Sequence, residues 1–398
     1  LHFGTVDRVD TEARQLVFSD ESQMSYDKLV IATGSLPNRF GWPGQHLNRV
    51  GGMYSLQDLR RLEAWTDQIK HAVVVGGGLI GVELAEMLHA RGKHVTFLVR
   101  EDAYWSNVLP KEESQLVADV IKKAGIDLRL NTELKEIISD TEGNACAVMT
   151  SKDERIDCQY VGLAAGVHPN IGFLSESNIL TKRGIAVDAY QRTNTPGVYA
   201  VGDCAEIFLD GIPDGDQRGL VQAVWYTGRF QAEVAAKNIC AELANSGGDT
   251  SRDAALTAYQ QGIWFNSAKF FDLEYQVYGQ VPSASASKHA EADGIQSAYW
   301  QDAQSDRAVR LVYRRQTTPE HSDHQDNTFI GLNTLGIRYR HKLVESWIRE
   351  EKSLDWVLAH LREANFDPEF YPQFSVPKAD LITPEQHGTT GGETHVSF

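Results

Sequence analysis

The stretch that decides the fold spans residues 71–99 and reads HAVVVGGGLIGVELAEMLHARGKHVTFLV. It opens with an apolar, β-branched run that enters three consecutive glycines. Apolar residues then recur at helical spacing as far as Leu88, and Gly92 follows as a helix stop. A second β-branched run, residues 94–99, closes the stretch. The pattern predicts strand, turn, helix and strand, which is a βαβ unit of a parallel sheet.

The glycines of this stretch follow the spacing G-x-G-x-x-G, at Gly76, Gly78 and Gly81. The first glycine of such a motif permits a tight turn, and the second lets a pyrophosphate approach the backbone. The third lets the helix pack closely, and the pyrophosphate lies at the helix N-terminus. A plain glycine-rich turn is the alternative, but the position between two strands favours a dinucleotide site.

The end of the second strand selects the dinucleotide. An acidic residue there accepts a hydrogen bond from a ribose 2′-OH, whereas an arginine pairs with a 2′-phosphate. Both types are present, as Arg100 and Glu101. Arg100 comes first and favours NADPH, while Glu101 and Gly81 leave NADH open. The alternative for Arg100 is a solvated surface cation.

Composition and charge exclude several classes of protein. The 398 residues are 42% hydrophobic and 23% charged, with 38 basic and 54 acidic side chains and a net charge of −16. Such a charge disfavours nucleic acid and anionic membranes as partners. No apolar run approaches the roughly 18 residues that cross a bilayer. The four cysteines form no CxxC pair, so we expect reduced thiols in a cytoplasmic protein.

An internal repeat indicates a second nucleotide-binding module. Residues 29–38, LVIATGSLPN, are echoed by residues 161–170, VGLAAGVHPN, with Gly34 matching Gly166 at an offset of 132. The glycine turn at Gly76 lies 90 positions before Gly166. The corresponding turn of the first module therefore falls before residue 1. Because the chain also starts with Leu1 instead of Met, we expect it to be truncated at its N-terminus.

A third motif completes a family pattern. The segment 193–203, TNTPGVYAVGD, predicts a short strand that ends in Gly-Asp, where ligands of open α/β sheets bind. With this motif the chain resembles the pyridine nucleotide-disulfide oxidoreductase family over about residues 1–370. The resemblance rests on four motifs in order: Ala32-Thr33-Gly34, the Gly76–Glu83 turn, Ala165-Gly166 with Pro169-Asn170, and Ala200-Val201-Gly202-Asp203.

The resemblance implies an α/β fold with two Rossmann-like domains, the NAD(P)H domain inserted in the FAD domain, and a C-terminal α+β interface domain. The expected ranges are 1–69 and 173–250 for FAD, 70–172 for NAD(P)H, 258–375 for the interface domain and 376–398 for a flexible tail. Four antiparallel strands are expected at 268–279, 297–300, 308–314 and 328–332, followed by one or two helices in 340–361. In the family this domain dimerises, so a homodimer is implied.

The resemblance also assigns site residues. Asp203 matches the family aspartate that binds the flavin ribityl chain, and Gly202 lets the flavin approach. Glu83 matches a glutamate near nicotinamide and flavin and is the catalytic candidate. A helix expected at 221–243 would direct its N-terminus at the flavin. The further cofactor-binding candidates are Ala32, Thr33, Gly34, Gly166, Val221, Gln222 and Ala223.

The implied activity is FAD-dependent NAD(P)H oxidation. Hydride passes to the flavin and electrons pass to an unidentified acceptor, such as a ferredoxin- or rubredoxin-like protein, a quinone, or a thiol or disulfide. The alternative is a redox-responsive binding protein that nucleotide regulates and that turns over little. No metal site is expected.

Overall fold

The computed structural model describes residues 1–246, 255–315 and 327–367, and residues 369, 374, 376 and 381. The tail expected at 376–398 lies outside the described residues except at two positions. The strands are β1 Val6–Asp10, β2 Gln15–Phe18, β3 Gln23–Ser25, β4 Leu29–Ile31, β5 Ser35–Pro37, β6 Val50–Gly51, β7 His71–Val75, β8 His94–Leu98, β9 Asp127–Arg129, β10 Leu134–Ser139, β11 Ala145–Thr150, β12 Arg155–Asp157, β13 Tyr160–Leu163, β14 Val167–Pro169, β15 Ile185–Asp188, β16 Val198–Ala200, β17 Ala205–Phe208, β18 Phe265–Phe270, β19 Leu273–Gly279, β20 Ile295–Gln301, β21 Ala308–Arg314 and β22 Thr328–Leu335. The helices are α1 Leu56–Trp65, α2 Leu79–His89, α3 Lys111–Lys123, α4 Trp225–Ser246, α5 Ser287–Ala292, α6 His341–Arg349 and α7 Leu354–His360.

The chain divides into two compact units. The first contains Leu1–Asn38 and Gly166–Gly262. Its strands form an antiparallel sheet β1-β2-β3, the parallel pairs β4-β16 and β15-β17, and the antiparallel pair β5-β14. A core that includes Ile185, Val198 and Val234 joins these strands to α4.

The second unit contains Arg39–Ala165 and Ile263–Phe398. Its parallel sheet has the order β6-β13-β7-β8-β9 and includes the βαβ unit expected from residues 71–99. Strands β7 and β13 are almost entirely buried, which explains their continuous apolar runs. A three-stranded antiparallel sheet, β10-β11-β12, packs against this sheet through a shared core.

The C-terminal part of the second unit is a five-stranded antiparallel sheet of order β18-β19-β22-β21-β20. The expectation of four strands was wrong, because residues 268–279 form parts of two strands. Phe270 pairs with Leu273 across a two-residue turn in which Phe271 has φ +55°. This turn contains no glycine or asparagine, the residues that usually mark such a conformation. The two helices expected in 340–361 are present as α6 and α7.

None of the helices within the described ranges is both long and apolar enough to cross a membrane.

Candidate functional site

The glycine turn after β7 is closely packed at two positions. Gly76 has φ +114°, and a Cβ atom placed on it would lie 2.3 Å from the Ala164 carbonyl oxygen. A Cβ on Gly81 would lie 2.0 Å from the Gly76 carbonyl oxygen and 3.1 Å from the Phe97 ring. Side chains are therefore excluded at both positions by the protein itself. The motif predicts that the helix packs closely at Gly81, and the shortest contact there is with the Gly76 carbonyl oxygen of the turn.

Gly78 differs from these two glycines because its surroundings are open. It is the N-cap of α2, and a Cβ atom there would meet no protein atom within 4 Å. No side chain caps this terminus. Amide groups in the first turn of an uncapped helix can donate to an anion, and the helix dipole favours negative charge there. The turn therefore fits a pyrophosphate that approaches over Gly78.

Arg100 and Glu101 follow β8, as the sequence predicts. The Arg100 guanidinium donates to the Glu101 carboxylate at 2.9 Å, and 70% of the Arg100 side chain is exposed. The structure thus brings together the two groups that discriminate between the ribose substituents. The contact uses one guanidinium nitrogen and one carboxylate oxygen, so both groups keep polar atoms that can bind a ligand.

Glu83 lies on α2, one helical turn after the first residue of the helix, and is exposed. Partial burial of the carboxyl group raises the pKa of Glu83, and the nearby Glu86 carboxylate raises it further. Glu86 itself accepts a hydrogen bond from the Phe271 amide at 3.2 Å. Glu83 thus lies on α2, the helix that follows the glycine turn, and its carboxylate has an increased affinity for a proton.

The second halves of the two repeat copies pair with each other in the first unit, as strands β5 and β14. Asn38 N–H donates to the Gly166 carbonyl at 2.9 Å, and Asn170 N–H donates to the Gly34 carbonyl at 2.9 Å. Each copy thus donates one backbone hydrogen bond to the other, which is the pattern expected for two repeats related by a twofold rotation. The Thr33 hydroxyl donates to the Asn170 carbonyl at 2.7 Å. Both glycines have positive φ, +69° at Gly34 and +84° at Gly166.

Ala32, Thr33 and Gly166 are exposed in this ribbon, as are Val30, Leu36 and His168. Small residues on an exposed turn leave room for a ligand to approach the backbone.

The Gly202-Asp203 turn lies in the same unit and is fixed from two sides. Gly202 N–H donates to the Gln231 side chain of α4 at 2.6 Å, and Ser35 Oγ donates to the Asp203 carboxylate at 2.9 Å. Gly202 has φ +77°, and a Cβ atom there would meet no protein atom within 4 Å. Like Gly78, it is a glycine whose open side fits the approach of a ligand.

The expected helix at 221–243 begins four residues later, at Trp225. Leu220 forms a β-bridge with Ile207, and the Thr227 hydroxyl donates to the carbonyls of Gln222 and Val224. These bonds hold Val221, Gln222 and Ala223 outside the helix, so their expected place in its first turns was wrong. The Gln222 side chain is buried and accepts a hydrogen bond from Tyr259 at 2.9 Å, whereas Ala223 is exposed.

Three polar residues that the sequence analysis did not single out support this part of the first unit. Gln231 and Ser35 hold the Gly202-Asp203 turn. Glu206 is fully buried and accepts hydrogen bonds from the amides of Gly184 and Gly219 at 3.1 and 2.9 Å. A polar residue inside an apolar strand such as AEIF, or on the buried face of a helix, is the signal that identifies such positions.

Comparisons with known proteins agree with this geometry. The family model described as pyridine nucleotide-disulphide oxidoreductase matches residues 1–236. The nitrite reductase [NAD(P)H] of Bacillus subtilis is 33% identical over 59% of this chain and 28% of its own length. The ferredoxin–NAD(+) reductase component of the p-cumate 2,3-dioxygenase system of Pseudomonas putida is 30% identical over 65% of this chain and 58% of its own length.

A solved structure extends the comparison to the fold. The ferredoxin reductase of Rhodopseudomonas palustris superposes with a TM-score of 0.67 at 22% identity, over 84% of this chain and 73% of that chain. The expected fold, two Rossmann-like domains followed by a C-terminal α+β domain, is confirmed. The chain spans less than two thirds of the length of the two curated relatives. It belongs to the pyridine nucleotide-disulphide oxidoreductase family.

Proposed function

We propose that this chain is an FAD-dependent NAD(P)H oxidoreductase. The nicotinamide supplies a hydride, and the flavin accepts it and passes electrons singly or in pairs to an acceptor. The observation that carries the proposal is the glycine turn, where Gly76 and Gly81 are closed by protein contacts and Gly78 alone is open. This pattern leaves a backbone surface at a helix N-terminus that suits a dinucleotide.

The two units have different roles in this proposal. In the second unit, Gly76, Gly78 and Gly81 hold the pyrophosphate and Arg100 with Glu101 binds the ribose. The carboxyl group of Glu83, whose pKa is raised, forms a hydrogen bond with the carboxamide of the nicotinamide. In the first unit, Gly202 and Asp203 bind the flavin chain beside Ala32, Thr33, Gly34 and Gly166. Val221, Gln222 and Ala223 approach the flavin from the segment before α4.

The domain ranges given above remain part of this proposal. The FAD domain would comprise residues 1–69 and 173–250, with the NAD(P)H domain at 70–172 between them. The compact units differ from these ranges at two edges, because residues 39–69 belong to the second unit and residues 166–172, with Gly166, belong to the first. The C-terminal α+β domain at 258–375 would form a homodimer. A molar mass of about twice the 44.3 kDa chain in light scattering would support the dimer.

For the acceptor we propose a small redox protein, since one relative is named as a ferredoxin reductase. Nitrite, which another relative's name implies as substrate, is the competing acceptor class. We also propose a cytoplasmic location, which the four unpaired cysteines support. Cell fractionation tests the location.

The activity is tested with the purified chain, FAD and ferricyanide as an artificial acceptor. We expect NADH- or NADPH-dependent ferricyanide reduction that the substitution Asp203→Ala decreases together with the bound FAD. The matched control is Asp210→Ala, an exposed acidic residue shortly after Asp203, which should leave both unchanged. Tight nucleotide binding without turnover in the flavin-loaded wild-type protein would instead support a nucleotide-regulated binding protein.

A further inference from the structure

Two of the four cysteines lie opposite each other on neighbouring antiparallel strands of the second unit. Strands β11 and β12 pair with Ala147 opposite Asp157. The next position in this register places Cys146 opposite Cys158, and the Cys158 N–H donates to the Cys146 carbonyl at 3.0 Å. Directly opposed residues of antiparallel strands point to the same face of the sheet. Both thiols are free.

The backbone spacing of this pair suits a disulfide. The Thr150 N–H donates to the Glu154 carbonyl at 2.9 Å, four residue pairs along the same ladder. Alternate pairs of an antiparallel ladder share the same type, so Cys146 and Cys158 lie at a hydrogen-bonded position, where the bond from the Cys158 N–H is formed. At such positions the Cα atoms lie about 5.5 Å apart. Disulfides span Cα distances of about 4.4 to 6.8 Å. The Cβ atoms, about 5 Å apart in such a pair, must approach by about 1 Å.

The two thiols differ in access. Cys146 is partly exposed, whereas Cys158 is fully buried in the core that contains Val73, Val161 and Leu163. Burial raises the pKa of the Cys158 thiol to about 12, and the neighbouring Cys146 adds to this shift. A small oxidant therefore reaches Cys146 first, and Cys158 is the group that completes the bond.

We propose that Cys146 and Cys158 form a reversible redox-sensitive pair, which a small-molecule disulfide oxidises to an intrachain disulfide bond. In the first step the Cys146 thiolate attacks one sulfur of the small disulfide, forms a mixed disulfide and releases one thiolate. In the second step Cys158, after losing its proton to solvent, attacks the Cys146 sulfur and releases the second thiolate. The protein loses two protons and two electrons, and the small disulfide is reduced to two thiols.

The position of the pair connects it to the nucleotide turn. Cys158 is two residues before β13, and β13 pairs with β7, the strand that enters the glycine turn. The Ala164 carbonyl that closes on Gly76 directly follows β13. Oxidation therefore acts on a hairpin that supports the proposed dinucleotide site. The chemistry of the pair itself does not depend on flavin or nucleotide.

The test uses oxidised glutathione as the probe. The whole folded chain is incubated with it, free thiols are alkylated, and the protein is mapped by non-reducing mass spectrometry. We expect one linked peptide pair that contains Cys146 and Cys158, a decrease from four alkylated cysteines to two, and full reversal by dithiothreitol.

Single variants distinguish the two steps. Cys158→Ser should trap a stable glutathione adduct on Cys146, whereas Cys146→Ser should leave Cys158 unmodified. The matched control is Cys240→Ser, which removes the exposed cysteine of α4 and should leave the bond unchanged. If the wild-type protein gives only glutathione adducts, or the bond forms only in denaturant, the proposal is wrong. The wild-type map decides the question even if a variant does not fold.

Discussion

At the residue scale, the three glycines of the fingerprint motif are needed for different reasons. Gly76 and Gly81 exclude a side chain because a backbone carbonyl lies 2.3 or 2.0 Å from the Cβ position. Gly78 has φ −85° and open surroundings, so its own fold would accept an alanine. The sequence motif predicts all three positions and their separate roles, but the carbonyl groups that exclude a side chain at Gly76 and Gly81 are visible only in the packed turn.

This difference predicts opposite results for two similar substitutions. Gly81→Ala should decrease the free energy of unfolding by about 3 kcal/mol, because the methyl group overlaps the Gly76 carbonyl. Gly78→Ala should change stability by less than about 0.5 kcal/mol. It should nevertheless raise the Kd for NADH about tenfold, by blocking the approach of the pyrophosphate. Urea denaturation and nucleotide titration measure the two effects. Unchanged NADH binding in Gly78→Ala would contradict the assignment.

The pair after β8 predicts the choice between coenzymes. Arg100 and Glu101 bind each other at 2.9 Å, so removing either side chain frees the other. Arg100→Ala should weaken NADPH binding about tenfold more than NADH binding, because the partner of the 2′-phosphate is lost. Glu101→Ala should weaken NADH binding and favour NADPH. If each variant changed the affinities for NADH and NADPH equally, the ribose would bind elsewhere.

At the scale of elements, a buried carboxylate fixes the segment that leads to α4. Glu206 of β17 accepts hydrogen bonds from the amides of Arg183, Gly184 and Gly219. Its carboxylate also forms an ion pair with the Arg183 guanidinium at 3.2 Å. Burial acts to raise the pKa of Glu206, but these amides and the guanidinium outweigh it, so the pKa is lowered. The ionised carboxylate is therefore the form that stabilises the fold.

The substitution Glu206→Gln should decrease the free energy of unfolding by about 3 kcal/mol at neutral pH. A depressed pKa in the folded state contributes stability above the unfolded value of about 4.3. That contribution declines below the unfolded value and is lost as the pH falls through the folded pKa, so the difference between wild type and variant should shrink in that range. Glu233→Gln, which removes an exposed ion pair of α4, is the control and should change stability little. A difference that is constant down to low pH would refute this role.

The sequence predicts elements better than their ends. The prediction of a βαβ unit at 71–99 was correct because the apolar residues that define the strands and the helical spacing are also the buried ones. The start of α4 was wrong because the bridge of Leu220 to Ile207 is a tertiary contact. The β18-β19 hairpin was missed because Phe271, a residue that rarely adopts a positive φ, forms its turn.

At the scale of the whole molecule, a buried ion pair joins distant parts of the second unit. Arg310 of β21 donates to both carboxylate oxygens of Glu113 at 2.7 and 2.9 Å and to Glu112 at 2.7 Å. Burial acts to lower the pKa of Arg310, but Glu113 and Glu112 offset it, so the pKa is raised. No pattern within either segment predicts this contact, because the partners are 197 residues apart.

Removing Arg310 should leave the buried Glu113 carboxylate without its ion pair, and neutralising Glu113 should leave Arg310 with only the partly exposed Glu112 as an ion-pair partner. Arg310→Met and Glu113→Gln should each decrease the free energy of unfolding by about 3 to 5 kcal/mol. The double variant should lose at least about 1 kcal/mol less than the two single losses added together. Arg349→Met, which removes an exposed pair with Glu345, is the control and should change little. Additive losses would show that the pair does not hold β21 to α3.

The central claim is that this chain passes hydride from a nicotinamide coenzyme to a bound flavin. The most direct test is an anaerobic titration of the purified, FAD-supplemented protein with NADH and with NADPH, followed by visible absorption. We predict flavin bands that bleach stoichiometrically with at least one coenzyme, and a Gly78→Ala variant that needs more coenzyme to bleach. A protein that binds both flavin and nicotinamide coenzyme but whose flavin bands never bleach would contradict the claim.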